Sequence, residues 1–133
     1  MIPVTADPTI IVVDDDAAVR SSLKFMLELD GYTVDTHESG EALTARTWLP
    51  RRACLVLDYA LPGMNGLQLL HVLRSRNVDL PAVLITTNPT RSLRAEAAAA
   101  GAPIVEKPLL SNALLRSVER ALAGGRDPIG AAP

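Results

Sequence analysis

The chain is poor in the residues that mark several large protein classes. One of its 133 residues is cysteine, so no disulfide can form within it. That residue, Cys54, sits in the apolar run Ala53-Cys54-Leu55-Val56-Leu57, where a thiol packs as a small, inert hydrophobe. Four residues are aromatic, Phe25, Tyr32, Trp48 and Tyr59. So few rings argue against a stacking surface for single-stranded nucleic acid and call for a core of Val, Leu, Ile and Ala. Basic charge is not in excess. Thirteen Lys and Arg stand against fifteen Asp and Glu, a net charge of −2, without the basic balance of a nucleic-acid binder. No apolar run approaches the ~18 residues of a membrane span, and Met1-Ile2-Pro3-Val4-Thr5 lacks the basic and apolar regions of a signal peptide. The expectation is a soluble cytoplasmic chain that engages neither nucleic acid nor membrane.

What is present is a globular composition, 48% hydrophobic and 21% charged, at the length of one domain. Short apolar runs alternate with segments of helical period. Thr9 to Val13 reads as a strand, and Ala17 to Leu29 as a helix with Val19, Leu23, Met26 and Leu27 on one stripe, stopped by Asp30-Gly31. Tyr32, Val34 and Thr36 alternate with polar residues as in a half-exposed strand. Ser39 to Trp48 reads as a second helix closed by Pro50. Ala53 to Leu57 is a third strand, and the loop Leu61-Pro62-Gly63-Met64-Asn65 leads into a helix over Gly66 to Ser75. Pro81 opens a fourth strand through Ile85. Asn88 and Pro89 suit the cap and first turn of a helix to Ala100, with Gly101 as its C-cap. Ile104-Val105 is a short fifth strand. Ser111 caps a last helix carrying Leu114, Leu115, Val118, Ala121 and Leu122 inward.

Five βα units imply a parallel sheet with helices on both faces. The first, third and fourth strands are continuously apolar and belong inside; the alternating second and the short fifth belong at the edges. The expected fold is therefore α/β, a three-layer doubly wound (βα)5 parallel sheet of order 2-1-3-4-5, flavodoxin-like. The domain is expected over 9–123, with an N-terminal arm over 1–8 and a flexible tail over 124–133.

In such sheets the ligand site lies beyond the carboxyl ends of the strands. The first strand ends in Asp14-Asp15-Asp16, the third in Asp58, the fourth in Thr86-Thr87 and the fifth in Lys107-Pro108. Carboxylates crowded into one crevice repel by ~4 kcal/mol per pair at 4 Å and an effective dielectric near 20. Lys107 supplies one positive charge, and a hard divalent cation, Mg²⁺ or Mn²⁺ in its place, would supply the rest. There is no Cys/His cluster for zinc. A metal site with a spare carboxylate, a hydroxyl and a lysine suits phosphoryl transfer to an aspartate nucleophile.

These residues make the chain resemble the receiver domain of two-component response regulators. The matching motifs are Ile11-Val12-Val13-Asp14-Asp15-Asp16, Leu57-Asp58-Tyr59-Ala60-Leu61-Pro62-Gly63-Met64-Asn65-Gly66, Leu84-Ile85-Thr86 and Glu106-Lys107-Pro108. The resemblance covers about residues 8–123. Val19-Arg20-Ser21-Ser22-Leu23 and Gly31-Tyr32-Thr33-Val34 look most like receivers of the nitrogen-fixation-regulator type. It implies that Asp58 accepts a phosphoryl group from a sensor histidine kinase or phosphotransfer protein, and that Asp14, Asp15, Asp58 and the Ala60 carbonyl hold Mg²⁺. It also implies that Thr86 and Lys107 engage the phosphate, and that the switch acts on a downstream protein or a homodimer. Asp16 reads as a helix N-cap, and His37 and His71 as structural or surface residues.

Several positions depart from the family pattern. Ile104 stands where the family usually has Tyr or Phe, three residues before the lysine. The connection from Gly101 to Lys107, with Pro103, is about one residue shorter than usual. Thr87 is bulkier than the usual Gly or Ala and would crowd phosphate access. The helix holding Ala95, Ala97, Ala98, Ala99 and Ala100 buries little area per residue, which predicts a low-stability, movable element. Three functions compete. The first is a phosphorylation-controlled binding module with no output domain of its own. The second is a switch-impaired receiver acting as a constitutive interaction module. The third is an aspartate-nucleophile phosphohydrolase, disfavoured because Ala60 stands where a second Asp would serve as acid and base; only self-phosphorylation and slow self-dephosphorylation are expected.

Overall fold

The computed structural model describes residues 8–109 and 112–124. Ten elements alternate along the chain: β1 (Thr9–Val13), α1 (Ala17–Leu29), β2 (Thr33–His37), α2 (Gly40–Thr44), β3 (Ala53–Asp58), α3 (Gly66–Ser75), β4 (Ala82–Thr86), α4 (Arg91–Ala99), β5 (Ile104–Glu106) and α5 (Ala113–Gly124). The strands form one sheet of order β2-β1-β3-β4-β5, and every pairing is parallel.

Side-chain alternation divides the core into two layers. Ile11, Val13, Leu55, Leu57 and Leu84 pack with Leu43, Leu69, Leu70, Leu73 and Leu93 from α2, α3 and α4. Ile10, Val12, Cys54, Val56, Val83 and Ile85 pack with Leu23 and Leu27 of α1 and with Leu114 and Val118 of α5. Both faces of β3 and β4 are buried along their whole length, which accounts for their unbroken apolar sequence. In β2 only Val34 is buried, as suits an edge strand. On the α1 stripe Leu23 and Leu27 are buried, while Val19 and Met26 pack at its margin. Among the described residues no helix is long and apolar enough to cross a membrane.

Three local expectations are corrected. The second helix ends at Thr44 rather than Trp48. Its one large buried anchor is Leu43, and the positions that would continue that stripe are Arg46 and Thr47. The Arg46 guanidinium instead turns to Asp35 Oδ2 at 3.0 Å, while Arg76 Nη1 donates to the Thr44 carbonyl at 2.8 Å. The N-cap of α4 is Thr90, whose hydroxyl accepts from the Leu93 N–H at 3.0 Å. Asn88 takes a left-handed φ of 48°, outside the extended region of an N-cap, so Pro89 precedes the cap. The α4 C-cap is Ala100; Gly101 follows it at φ 70°, the left-handed residue that ends a helix. Ser111, the expected arm before Pro8 and the expected tail beyond Gly124 lie outside the described residues.

Candidate functional site

Parallel order brings the carboxyl ends of all five strands to one edge, and β1, β3, β4 and β5 end there in polar residues. Asp14 follows β1 and is 1% exposed; Asp58 closes β3 at 4% and Thr86 closes β4 at 5%. These are the buried polar residues among those described. Asp15 is exposed. Carboxylate oxygens of Asp14, Asp15 and Asp58 lie within 4.8 Å of one another. Lys107, directly after β5, places Nζ 3.4 Å from Asp58 Oδ2 and 3.6 Å from Asp14 Oδ2.

Local bonds hold this arrangement. The Asp14 N–H donates to the His37 carbonyl at 3.1 Å, the Tyr59 N–H to Ile85 at 2.9 Å and the Lys107 N–H to Thr86 at 2.8 Å. The ladder thus continues past the strand ends and presents each residue at a set height. Asp14 Oδ1 accepts the Asp16 N–H at 2.9 Å, and Asp58 Oδ1 accepts the Ala60 N–H at 3.2 Å. Asp16 caps α1, its Oδ1 accepting from Ala18 and Val19, and so serves the helix rather than the cluster. Among the described residues Thr86 Oγ1 meets only the Thr87 carbonyl, at 3.5 Å. Thr87 itself is exposed. It lines a cleft of about 580 Å³ between α1 and the Lys107-Pro108 segment, which shares Lys107 with the acidic cluster.

Three carboxylates face one ammonium. Burial raises the Asp14 pKa above its ordinary 3.8; the Asp16 backbone N–H opposes this, and the Asp58 charge adds to it. Asp14 Oδ2 is buried and accepts no hydrogen bond among the described residues. A buried, unsatisfied carboxylate oxygen beside two further carboxylates fits a small hard cation, whose charge would relieve both burial and repulsion. The residue set therefore fits Mg²⁺.

Two contributors escaped the sequence reading. A Cβ on Gly66 would stand 2.6 Å from the Asp58 carbonyl oxygen and 3.1 Å from Tyr59 Cα. The start of α3 thus touches the backbone of the acidic strand end, and only glycine permits that approach. Its trace in the sequence is a poor helix former placed directly after the Asn65 cap. Arg20, one turn into α1, donates from Nη1 to the Asp14 carbonyl at 2.7 Å, and nothing in the local sequence announces it. The histidines stay outside the cluster. His37 ends β2, where burial, then the nearby Arg46, lower its pKa; His71 is exposed on α3.

Residues 10–119 match the family described as response regulator receiver domain. The chain is 37% identical to the transcriptional regulatory protein FixJ of Rhizobium meliloti over 116 residues, which are 86% of this chain and 57% of that protein. It is 39% identical to the response regulator MprA of Mycobacterium bovis over 125 residues, 92% of this chain and 54% of that protein. The chain thus spans a little over half the length of either relative. The crystal structure of FixJ-N superposes with a TM-score of 0.81 at 36% identity, covering 90% of this chain and 96% of that one. With the sheet order, the acidic strand ends and the family match all falling on the same residues, the chain belongs to the response regulator receiver domains.

Proposed function

We propose that Asp58 is the phospho-accepting residue of this receiver. Receiver domains of two-component systems bind Mg²⁺ at an acidic pocket, work with histidine kinases and downstream effectors, and are in general switches rather than enzymes. The observation that carries the assignment is the bridging ammonium. Lys107 Nζ lies between Asp58 Oδ2 and Asp14 Oδ2, where it can pair with an oxygen of a phosphoryl group that arrives on Asp58. We assign the receiver to residues 9–123, with 1–8 as an arm and 124–133 as a tail, in a cytoplasmic protein.

In the reaction an Asp58 carboxylate oxygen attacks phosphorus, the bond from phosphorus to the donor breaks, and the donor leaves with that bond's electron pair. From a phosphohistidine the bond broken is P–N and the leaving group is imidazole. The product is an acyl phosphate on Asp58. Asp14, Asp15, Asp58 and the Ala60 carbonyl would hold Mg²⁺, which supplies positive charge to the phosphoryl oxygens. Thr86 Oγ1, with only a weak carbonyl contact, is available to donate to a phosphate oxygen. The Ala60 N–H donates to Asp58 Oδ1 and orients the carboxylate. Release of the phosphoryl group to water is expected to be slow. The phosphorylated state shifts a two-state equilibrium that changes a protein contact, either with a downstream partner or within a homodimer.

Incubation with acetyl phosphate and Mg²⁺, followed by intact mass measurement, tests the assignment. One phosphate is expected on the wild type and none on Asp58→Asn. A wild type that takes none overturns phosphoryl acceptance, and an adduct that persists on Asp58→Asn overturns the site. A second reading, a receiver that binds its partner constitutively, is favoured by Ile104, which packs at the edge of the core formed with Leu84 and Leu93 where a mobile aromatic is usual. If beryllofluoride loading changes neither oligomer size nor partner affinity, this second reading holds.

A further inference from the structure

The strongest feature outside the acidic cluster lies at the opposite end of the strands. A cavity of about 470 Å³ opens between the segment that joins α2 to β3 and the segment that joins α3 to β4. Its floor is apolar, from buried Leu43, Leu73 and Leu80. Trp48, the single tryptophan of the chain, lines it and is 69% exposed. A ring left mostly in water contributes little to the core, whereas an exposed aromatic on a cavity wall is a platform for a planar ligand.

The rim is cationic. Arg46, Arg51 and Arg76 line the cavity against one acid, Asp79, on a chain whose net charge is −2. Arg46 is paired with Asp35. Arg51 is exposed and makes no hydrogen bond or ion pair among the described residues. Arg76 gives Nη1 to the neutral Thr44 carbonyl and forms no ion pair among the described residues. Two guanidinium forks beside one exposed indole match an anion joined to a planar ring. Guanidinium binds phosphate oxygens in pairs, and indole stacks on a base whatever its identity.

We propose that this cavity binds a nucleoside phosphate, its base against Trp48 and its phosphates at Arg51 and Arg76. The volume lies within the range of small-ligand pockets. A concave site of this size favours a nucleotide over an extended acidic peptide, which would need a longer groove. The site is separate from the acidic cluster and does not depend on the role given to Asp58.

The lone tryptophan makes the test direct, because its emission reports from this cavity alone. The protein is titrated with ADP in EDTA, which keeps cation-bridged nucleotide away from the carboxylates. A saturable change in Trp48 emission is expected. Arg51→Ala is expected to weaken ADP by about tenfold or more, the worth of one charge-assisted hydrogen bond, with an unchanged unfolding midpoint because Arg51 supports no contact of the fold. Adenosine and pyrophosphate are each expected to bind more weakly than ADP, since each lacks half of the recognised chemistry. Amide resonances should shift in residues 43–51 and 73–80. Three results would overturn the proposal: no saturable change with ADP, equal ADP affinity in Arg51→Ala, or saturation by an acidic peptide that ADP does not displace. The last would assign the cavity to a protein partner.

Discussion

The Lys107 ammonium, which follows the edge strand β5, lies 3.4 Å from Asp58 Oδ2 at the end of the inner strand β3, and the same nitrogen is 3.6 Å from Asp14 Oδ2. One cation thus bridges two carboxylates that are 5% or less exposed, while itself 26% exposed. Removing it leaves both acids buried without their shared counter-charge. Lys107→Ala is expected to destabilise the protein in EDTA by about 1–3 kcal/mol, and Mg²⁺ should return a larger share of stability to the variant than to the wild type. Urea unfolding midpoints with and without Mg²⁺ check this; equal midpoints for the two proteins in EDTA would count against the bridge.

Asp14 gives a pH dependence of definite sign. Its folded pKa is raised above the ordinary 3.8, first by burial. Its contribution to stability is therefore fully present below about 3.8 and is lost as pH rises through the folded value. At neutral pH, without metal, the charged Asp14 opposes folding. Asp14→Asn keeps an oxygen for the Asp16 N–H and removes the charge. The variant should be more stable than the wild type at pH 7 in EDTA by on the order of 1 kcal/mol, because the relieved burial and Asp58 repulsion are partly offset by the lost pairing with Lys107. The gain should shrink toward pH 4. Mg²⁺ should stabilise the wild type by mass action and leave the variant nearly unmoved. A variant less stable than the wild type in EDTA at pH 7 would refute the sign.

Gly66 joins α3 to the acidic strand end by close approach. An alanine Cβ would meet the Asp58 carbonyl oxygen at 2.6 Å, a distance that backbone must move to relieve. Gly66→Ala is expected to cost about 1–3 kcal/mol of stability, the usual scale of overpacking, and to slow acetyl phosphate labelling by displacing Asp58. Gly124→Ala, where nothing lies within 4 Å of the added carbon, is the control and should do neither.

Cys54 is buried in β3, and burial pushes its thiol up to about 12. The thiolate is the reactive form, so native protein at pH 8 should resist iodoacetamide. Unfolding in urea should expose one rapidly alkylated thiol. Fast labelling of the native state would show that β3 opens far more readily than its complete burial implies.

The alanine-rich α4 has two buried residues, Leu93 and Ala97, and its cohesion rests on few apolar contacts. Its exposed charges pair across the surface, Arg94 with Glu106 at 2.7 Å, an interaction of small net worth. Amide hydrogen exchange should be faster in α4 than in β3 or β4. Equal protection would mean that α4 unfolds only with the whole domain.

Much of this protein was legible in the chain itself. The unbroken apolar runs of β1, β3 and β4 carry their inner positions, because a strand covered on both faces has no polar side to show. The alternating β2 and the short β5 carry the edges by the same reasoning. Since parallel strands all end at one edge of the sheet, the polar residues that close them are the site residues, and Asp14, Asp58, Thr86 and Lys107 follow from that rule. Asp16 as the α1 cap was likewise local chemistry, a carboxylate within reach of the first free N–H groups.

Other features depended on contacts between distant residues. The end of α2 was settled by Arg46 reaching Asp35 and by Arg76 capping Thr44, neither of which a helical period can express. The α4 cap passed from Asn88 to Thr90 because the loop after β4 holds Asn88 in the left-handed region, a backbone state that both residues' side chains leave open. The contact of Gly66 with the Asp58 backbone and the bond from Arg20 to the Asp14 carbonyl arise only when α3 and α1 pack on the sheet. The composition and order of residues determined which groups stand at the strand ends, since periodicity and burial are local properties. The tertiary structure alone decided which of those groups touch, how deeply each is buried, and that Lys107, forty-nine residues from Asp58, comes to bridge two acids, since distance between strands is a property of the packed sheet.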